Sequence, residues 1–228
     1  MQTYPELLDH RDVFAKPDVK GLDGNLFFME HNFAEDHKDD HNKSKTNRSE
    51  AELTIAVVRY MLMQGYTPRQ LVVLTPYLGQ LVMLRSAMRA ENFAGVCAYV
   101  GDADREELLR ENGFEQSANE SEDGLRDNSV RISTVDNYQG EEADIVVASL
   151  VRCNDHGQIG FLKEPQRANV LLSRARIGMI LIGSANTIRA SVKGQETWLP
   201  LFDHLQAKGR LVINPRQILS VSCTNVQF

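Results

Sequence analysis

The run Asp144-Ile-Val-Val-Ala-Ser-Leu-Val151 is apolar almost from end to end. A strand with one wet face alternates apolar and polar residues. A strand without a polar face needs cover on both sides, as the strands of parallel sheets have. Leu71-Val-Val-Leu-Thr75 and Met179-Ile-Leu-Ile182 share this character, and Asn25 to Met29, Val96 to Val100 and Val130 to Ser133 are shorter strand candidates. Helical spacing lies between them. Leu53, Val57, Tyr60 and Met61 fall on one helical face, with Asn47 or Ser49 as cap, Glu50 and Glu52 in the first turn and Gly65 as the stop. Pro76 closes a strand, Tyr77-Leu-Gly-Gln80 opens a helix to about Glu91, and Trp198 to Leu205 gives a short late helix. Strands that alternate with helices and are buried on both faces specify an α/β fold: a doubly wound parallel sheet with helices on both faces, in a single domain.

Residues 1–24 form an irregular lead-in, 25–210 the α/β domain, and 211–228 a tail with one strand-like patch, Leu211-Val-Ile213. Two polar stretches, 32–48 and 101–128, lack apolar periodicity. They are read as loops, the second as a surface or partly disordered insert. His37 and His41 in the first stand at a metal-ligand spacing, but a solvated loop is the preferred reading. A net charge of -6 argues against a broad basic face for duplex DNA, though not against a narrow cleft holding a few arginines. No apolar run reaches the roughly eighteen residues of a membrane span, and the start is unlike a signal peptide, so no membrane is implied. Cys97, Cys153 and Cys223 are odd in number and scattered, making neither a disulfide framework nor a metal site. Reduced thiols and an intracellular protein, in nucleus or cytoplasm, follow.

In doubly wound sheets, ligands meet the loops at the carboxyl ends of the strands. Three polar clusters are expected there: Thr75-Pro76-Tyr77, Ser133 through Glu141, and Gly183-Ser184. The hydroxyls and N–H groups of Ser133 and Thr134 suit a backbone phosphate of a nucleic-acid strand. Gly140 permits a tight turn or a close approach, Glu141 can accept from ribose hydroxyls, and Gln139 can orient a polar partner. Downstream, Glu164 to Gly178 reads as a helix running straight into the strand at Met179, displaying Arg167, Arg174 and Arg176. A surface helix with solvated charges is one reading. The other is a set of guanidinium forks for phosphate, and the upstream Ser133–Glu142 stretch favours it. Arg174 and Arg176 would then stabilise charge on a transferred phosphoryl group.

Together and in order, Asn47-Arg-Ser-Glu-Ala51, Val73-Leu-Thr-Pro-Tyr-Leu-Gly-Gln80, Ser133-Thr-Val-Asp-Asn-Tyr-Gln-Gly-Glu141 and Arg167-Ala-Asn-Val-Leu-Leu-Ser-Arg-Ala-Arg176 resemble the later motifs of superfamily 1 helicases. The likeness spans roughly residues 22 to 190 and is strongest to the branch of the nonsense-mediated-decay RNA helicase. Within that branch, Asn25-Leu-Phe-Phe-Met-Glu-His-Asn32 is similar to the large zinc-finger helicases of RNA silencing. The resemblance implies the second, C-terminal RecA-like domain of a two-domain motor. It implies that Arg174 is the arginine finger, and that Gln139, Gly140, Glu141 and Arg176 join it at the nucleotide. Thr75, Pro76, Tyr77, Ser133, Thr134, Arg152, Arg167 and Asn169 would face single-stranded RNA or DNA. Tyr138 and Ser173 stand where the family often has phenylalanine and threonine, with no functional group lost.

No G-x-x-x-x-G-K-[ST] loop occurs, and no Asp-Glu pair ends an apolar strand. The family carries both on its first RecA-like domain, and the resemblance places that domain's last motif just before Met1. ATP and Mg²⁺ are therefore expected to bind only with a first RecA-like domain, in cis or in trans, and the chain alone is not expected to turn over ATP. An RNA-directed RNA polymerase or silencing complex is a further partner the nearest branch implies. The competing reading is a non-catalytic RNA- or protein-binding module derived from a helicase lobe. A different phosphate-binding enzyme lacks support, since no other catalytic constellation stands out.

Overall fold

The computed structural model describes residues 17–36, 44–112 and 128–213. Its seven strands are β1 (Leu26–Glu30), β2 (Leu71–Thr75), β3 (Cys97–Val100), β4 (Ser129–Thr134), β5 (Ala143–Ser149), β6 (Ala175–Gly183) and β7 (Leu211–Ile213). They form one sheet in the order β3-β4-β2-β5-β6-β1-β7, with every pairing parallel. The helices are α1 (Arg48–Met63), α2 (Leu78–Glu91), α3 (Asp102–Asn112), α4 (Pro165–Leu172), α5 (Ala185–Ala190) and α6 (Val192–Ala207). This is the doubly wound parallel α/β arrangement, with helices on both faces, that the apolar strands require.

The pleat sorts the central strands into two cores. Val73, Ile145, Val147, Ile180 and Ile182 pack with Val57 and Met61 of α1 and Leu81, Leu84 and Met88 of α2. Val72, Leu74, Val146, Ala148, Met179 and Leu181 pack with Leu171 of α4 and Trp198, Phe202 and Leu205 of α6. Phe28 is fully buried, edge-on to Phe202 with centroids 4.9 Å apart. The Trp198 indole N–H donates to the Leu162 carbonyl at 2.8 Å, which ties α6 to the turn before α4.

Several sequence expectations change. Part of the 101–128 stretch is α3, which fills the crossover between two adjacent parallel strands. Leu108 is its one buried apolar residue among those described, so no amphipathic stripe marks it. Residues 113–127 lie outside the described residues, as do His37 and His41. The helix through Arg174 ends at Leu172 instead, and β6 begins at Ala175, paired with Ala143. Val170, Leu171, Ala175 and Gly178 suit a helical face, but backbone pairing with β5 claims the last two. The late helix is longer than Trp198–Leu205, starting at a Ser191 cap and running through Pro200. Leu211-Val-Ile213, assigned to the tail, is the edge strand beside β1. The lead-in also contributes to the core: Val19 is buried against Gly178, where an added Cβ would collide with Val19 Cγ2.

Candidate functional site

The predicted site residues separate to two ends of the sheet. Thr75-Pro76-Tyr77, Ser133, Thr134 and Arg152 stand at or just beyond the carboxyl ends of β2, β4 and β5. The chain then crosses back, so Gln139, Gly140 and Glu141 sit near the amino end of β5, beside Arg174 and Arg176 at the start of β6. The cluster expected from Ser133 through Glu141 is therefore two clusters.

The carboxyl end is organised by buried polar groups. Asn47 caps α1, its side-chain oxygen accepting the Glu50 N–H at 3.0 Å. Glu50, read from sequence as a first-turn acid, is fully buried. One oxygen meets His31 Nε2 at 2.6 Å, and the other accepts from Ser149 Oγ at 2.6 Å and the Val151 N–H at 2.7 Å. Gln80 joins the network by accepting the Asn47 N–H at 2.8 Å and donating to Ser149 Oγ at 3.0 Å. This lattice holds Val151 at φ +74°, a left-handed conformation that a β-branched residue rarely adopts. Burial pushes the His31 imidazole down, but the Cys153 sulfur and the Glu50 carboxylate outweigh it and lift the pKa to about 9. The Phe33 N–H also points at Nδ1 from 3.1 Å, a contact only an unprotonated nitrogen accepts. The 2.6 Å contact to the carboxylate is shorter and charge-assisted, so the upward direction stands, and the Phe33 contact yields on protonation.

Arg152 is 6 % exposed, and its Nε donates to Glu35 at 2.8 Å. Glu35 also accepts from the Cys153 N–H and the Asn154 amide. Burial would raise the Glu35 carboxyl, but the bonds from Arg152 and Asn154 hold it below the ordinary value. Ser133 and Thr134 are buried, and both hydroxyls donate to Asp104 of α3 instead of facing solvent. Thr75 is fully buried with its hydroxyl unpartnered. Pro76 and Tyr77 line a small cleft of about 200 Å³ with Thr134. Arg167 is half exposed, lies over the Phe161 ring at 4.9 Å and pairs with Asp136 and Glu164. Asn169, also on α4, is half-buried.

The amino end is open. Glu141 is taken up by Arg131, at 2.5 and 3.0 Å across both oxygens, so a ribose would have to displace that guanidinium. Gly140 has φ +86° with open space at its Cβ position, so the turn requires glycine and a close approach does not. Gln139 is exposed. Arg176 meets Glu142 at 3.2 Å, both more than half exposed. Arg174 differs from the other arginines here. Its Nε donates to the Val170 carbonyl at 2.7 Å, Nη1 to the Glu141 carbonyl at 3.0 Å and Nη2 to Ser173 Oγ at 2.7 Å. Three neutral acceptors fix the fork, and no carboxylate among the described residues offsets its charge. Sequence reasoning missed Arg131, Asp104, His31, Glu50 and Glu35. Asn47-x-x-Glu50 was visible as a cap pattern, but nothing local marked the acid as buried.

Residues 5–186 match the AAA domain family AAA_12. The chain is 37% identical to NFX1-type zinc finger-containing protein 1 of Mus musculus over 79% of its length and 8% of that protein's. It is 30% identical to the Helicase required for RNAi-mediated heterochromatin assembly 1 of Schizosaccharomyces pombe, over 96% of this chain and 20% of that one. It is 30% identical to Regulator of nonsense transcripts 1 of Dictyostelium discoideum, over 73% of this chain and 10% of that protein. The chain thus spans at most a fifth of these relatives.

Proposed function

This chain belongs to the AAA domain family AAA_12, and from that premise we propose that it is the C-terminal motor half of an ATP-dependent RNA helicase. The observation that carries the reading is Arg174, whose guanidinium is oriented by three neutral acceptors and keeps its charge for an incoming anion. A charge held in place before the reaction stabilises developing negative charge without reorganising, as an arginine finger must. ATP with Mg²⁺, carried chiefly by a first RecA-like lobe, supplies the phosphoryl group. This chain's part is to present Arg174, with Arg176 beside it and Gln139 and Gly140 on the adjoining turn. Glu141 holds Arg174 through its carbonyl and Arg131 through its carboxylate.

The strand runs past the carboxyl end, against Pro76, Tyr77, Arg167 and Asn169, with Thr75, Ser133 and Thr134 buried beneath that surface. Arg152 acts there as a positioning residue, bracing the segment that carries Glu35 and Cys153. A role in RNA silencing follows the name of the fission-yeast relative. The test combines the chain with a separately expressed first RecA-like lobe of a relative and measures RNA-stimulated ATP hydrolysis. Turnover should appear only in the mixture, and both Arg174→Ala and Arg174→Lys should abolish it, because an ammonium cannot reproduce the fork. RNA-stimulated turnover by the chain alone, or full turnover with Arg174→Ala, would sink the proposal.

A further inference from the structure

Four donors converge at the end of β4. Ser133 Oγ, the Thr134 N–H at 3.1 Å, Thr134 Oγ1 at 2.6 Å and the Asn137 amide at 2.8 Å all donate to the fully buried carboxylate of Asp104. Backbone amide, hydroxyls and side-chain amide without a cation make a receptor for an oxyanion, and it reads a carboxylate and a phosphodiester oxygen alike. The carboxylate comes from α3. One turn on, Glu107 accepts a second bond from the Asn137 amide at 2.8 Å. Glu107 and Asp136 also wall the cleft that Pro76, Tyr77 and Thr134 line, so its present charge repels a polyanion.

The helix that delivers these acids is lightly attached. Leu108 is its one buried apolar side chain among those described, and Leu109 is 49% exposed. With so little apolar area holding it, α3 belongs to the low-stability end of the fold, and much of its grip is Asp104 on the donors themselves.

We infer that α3 is an acidic plug: Asp104 fills, in cis, a phosphodiester cradle made by Ser133, Thr134 and Asn137, and single-stranded nucleic acid binds this end by displacing it. The inference rests on the strand face proposed above and adds its regulation. A strand competes by bringing contacts at Tyr77 and Arg167 that the plug lacks, so weak binding by short strands and steep dependence on length follow.

The test is fluorescence anisotropy of labelled oligouridine with the full chain at low salt. Asp104→Asn removes the charge and keeps an acceptor, and should tighten binding about tenfold. Glu107→Gln, at a half-buried site, should tighten it less, and it carries the test should Asp104→Asn fail to fold. Amide exchange in α3 should speed up when the oligonucleotide binds the unaltered chain. If the unaltered chain binds and the folded variants bind no more tightly, the plug is wrong and the strand face stands. If neither the chain nor the variants bind, the strand face falls and the plug with it. Competition by inorganic phosphate at the same concentration would assign the cradle to the free ion and overturn the inference.

Discussion

At the carboxyl end of the sheet the polar groups are buried and shared: Glu50, His31, Ser149, Asn47 and Gln80 bond one another across four segments of chain. At the amino end the charged groups reach solvent, and the central one, Arg174, is bonded to neutral acceptors alone among the described residues. The difference separates stability from function. A buried, fully paired network is part of what makes the fold unique, and removing one partner strands the others. An arginine bonded to carbonyls gives little to folding and retains its charge for something outside the chain. Mutations at the two ends should therefore fail in different assays.

The largest effect expected is Arg174→Ala in the two-lobe ATPase mixture. Loss of an arginine finger costs on the order of 10³-fold or more in turnover, while the denaturation midpoint of the chain should barely move. A substantial loss of stability would erase the contrast between the ends. Next comes Glu50→Ala, which leaves His31, Ser149 and the Val151 N–H without their acceptor. Chemical denaturation should show a loss of about 3–5 kcal/mol. A loss under about 1 kcal/mol would mean that the network is ornamental.

A pH series sharpens the same point. The folded pKa of His31 is lifted from 6.5 to about 9. The stabilisation is therefore complete below the unfolded value of 6.5 and is lost as pH rises through about 9, a fall of roughly 3 kcal/mol. Stability that stays flat over that interval shows a ring neutral throughout, with the Phe33 contact as the governing one. The smallest effect is Val151→Gly. Relief of the left-handed backbone offsets the lost side-chain contacts only in part, so a loss under about 2 kcal/mol is expected, smaller than for a core valine in a relaxed conformation.

The sheet was legible in the sequence because parallel strands covered on both faces write themselves as apolar runs, and because Asn47 and Gly65 bracket α1 with cap chemistry. Helix α3 was not legible, since it is held by one leucine and two acids whose partners lie about thirty residues away. Arg174 was singled out by its own arginine-rich stretch and then, as the finger, by likeness, yet its setting was misread as helical, because the residues around it satisfy a helical stripe and a strand equally well and only pairing with β5 decides. Glu50 and His31 were invisible for a related reason. A buried acid looks like a surface acid until the fold brings it a base nineteen residues away and a serine ninety-nine residues away.

The position of β1 has a consequence for how the chain is made. Although first among the described strands, β1 lies between β6 and β7, and Asn25 bonds to the carbonyl of Ile177, 152 residues further on. On a ribosome adding about 5–20 residues per second, Phe27 and Phe28 would emerge roughly eight to thirty seconds before the strand that shelters them. Through that interval two aromatic side chains stand uncovered on an unpaired strand, which is what a nascent-chain chaperone recognises. A cell short of such chaperones should accumulate this polypeptide in aggregates seeded from β1.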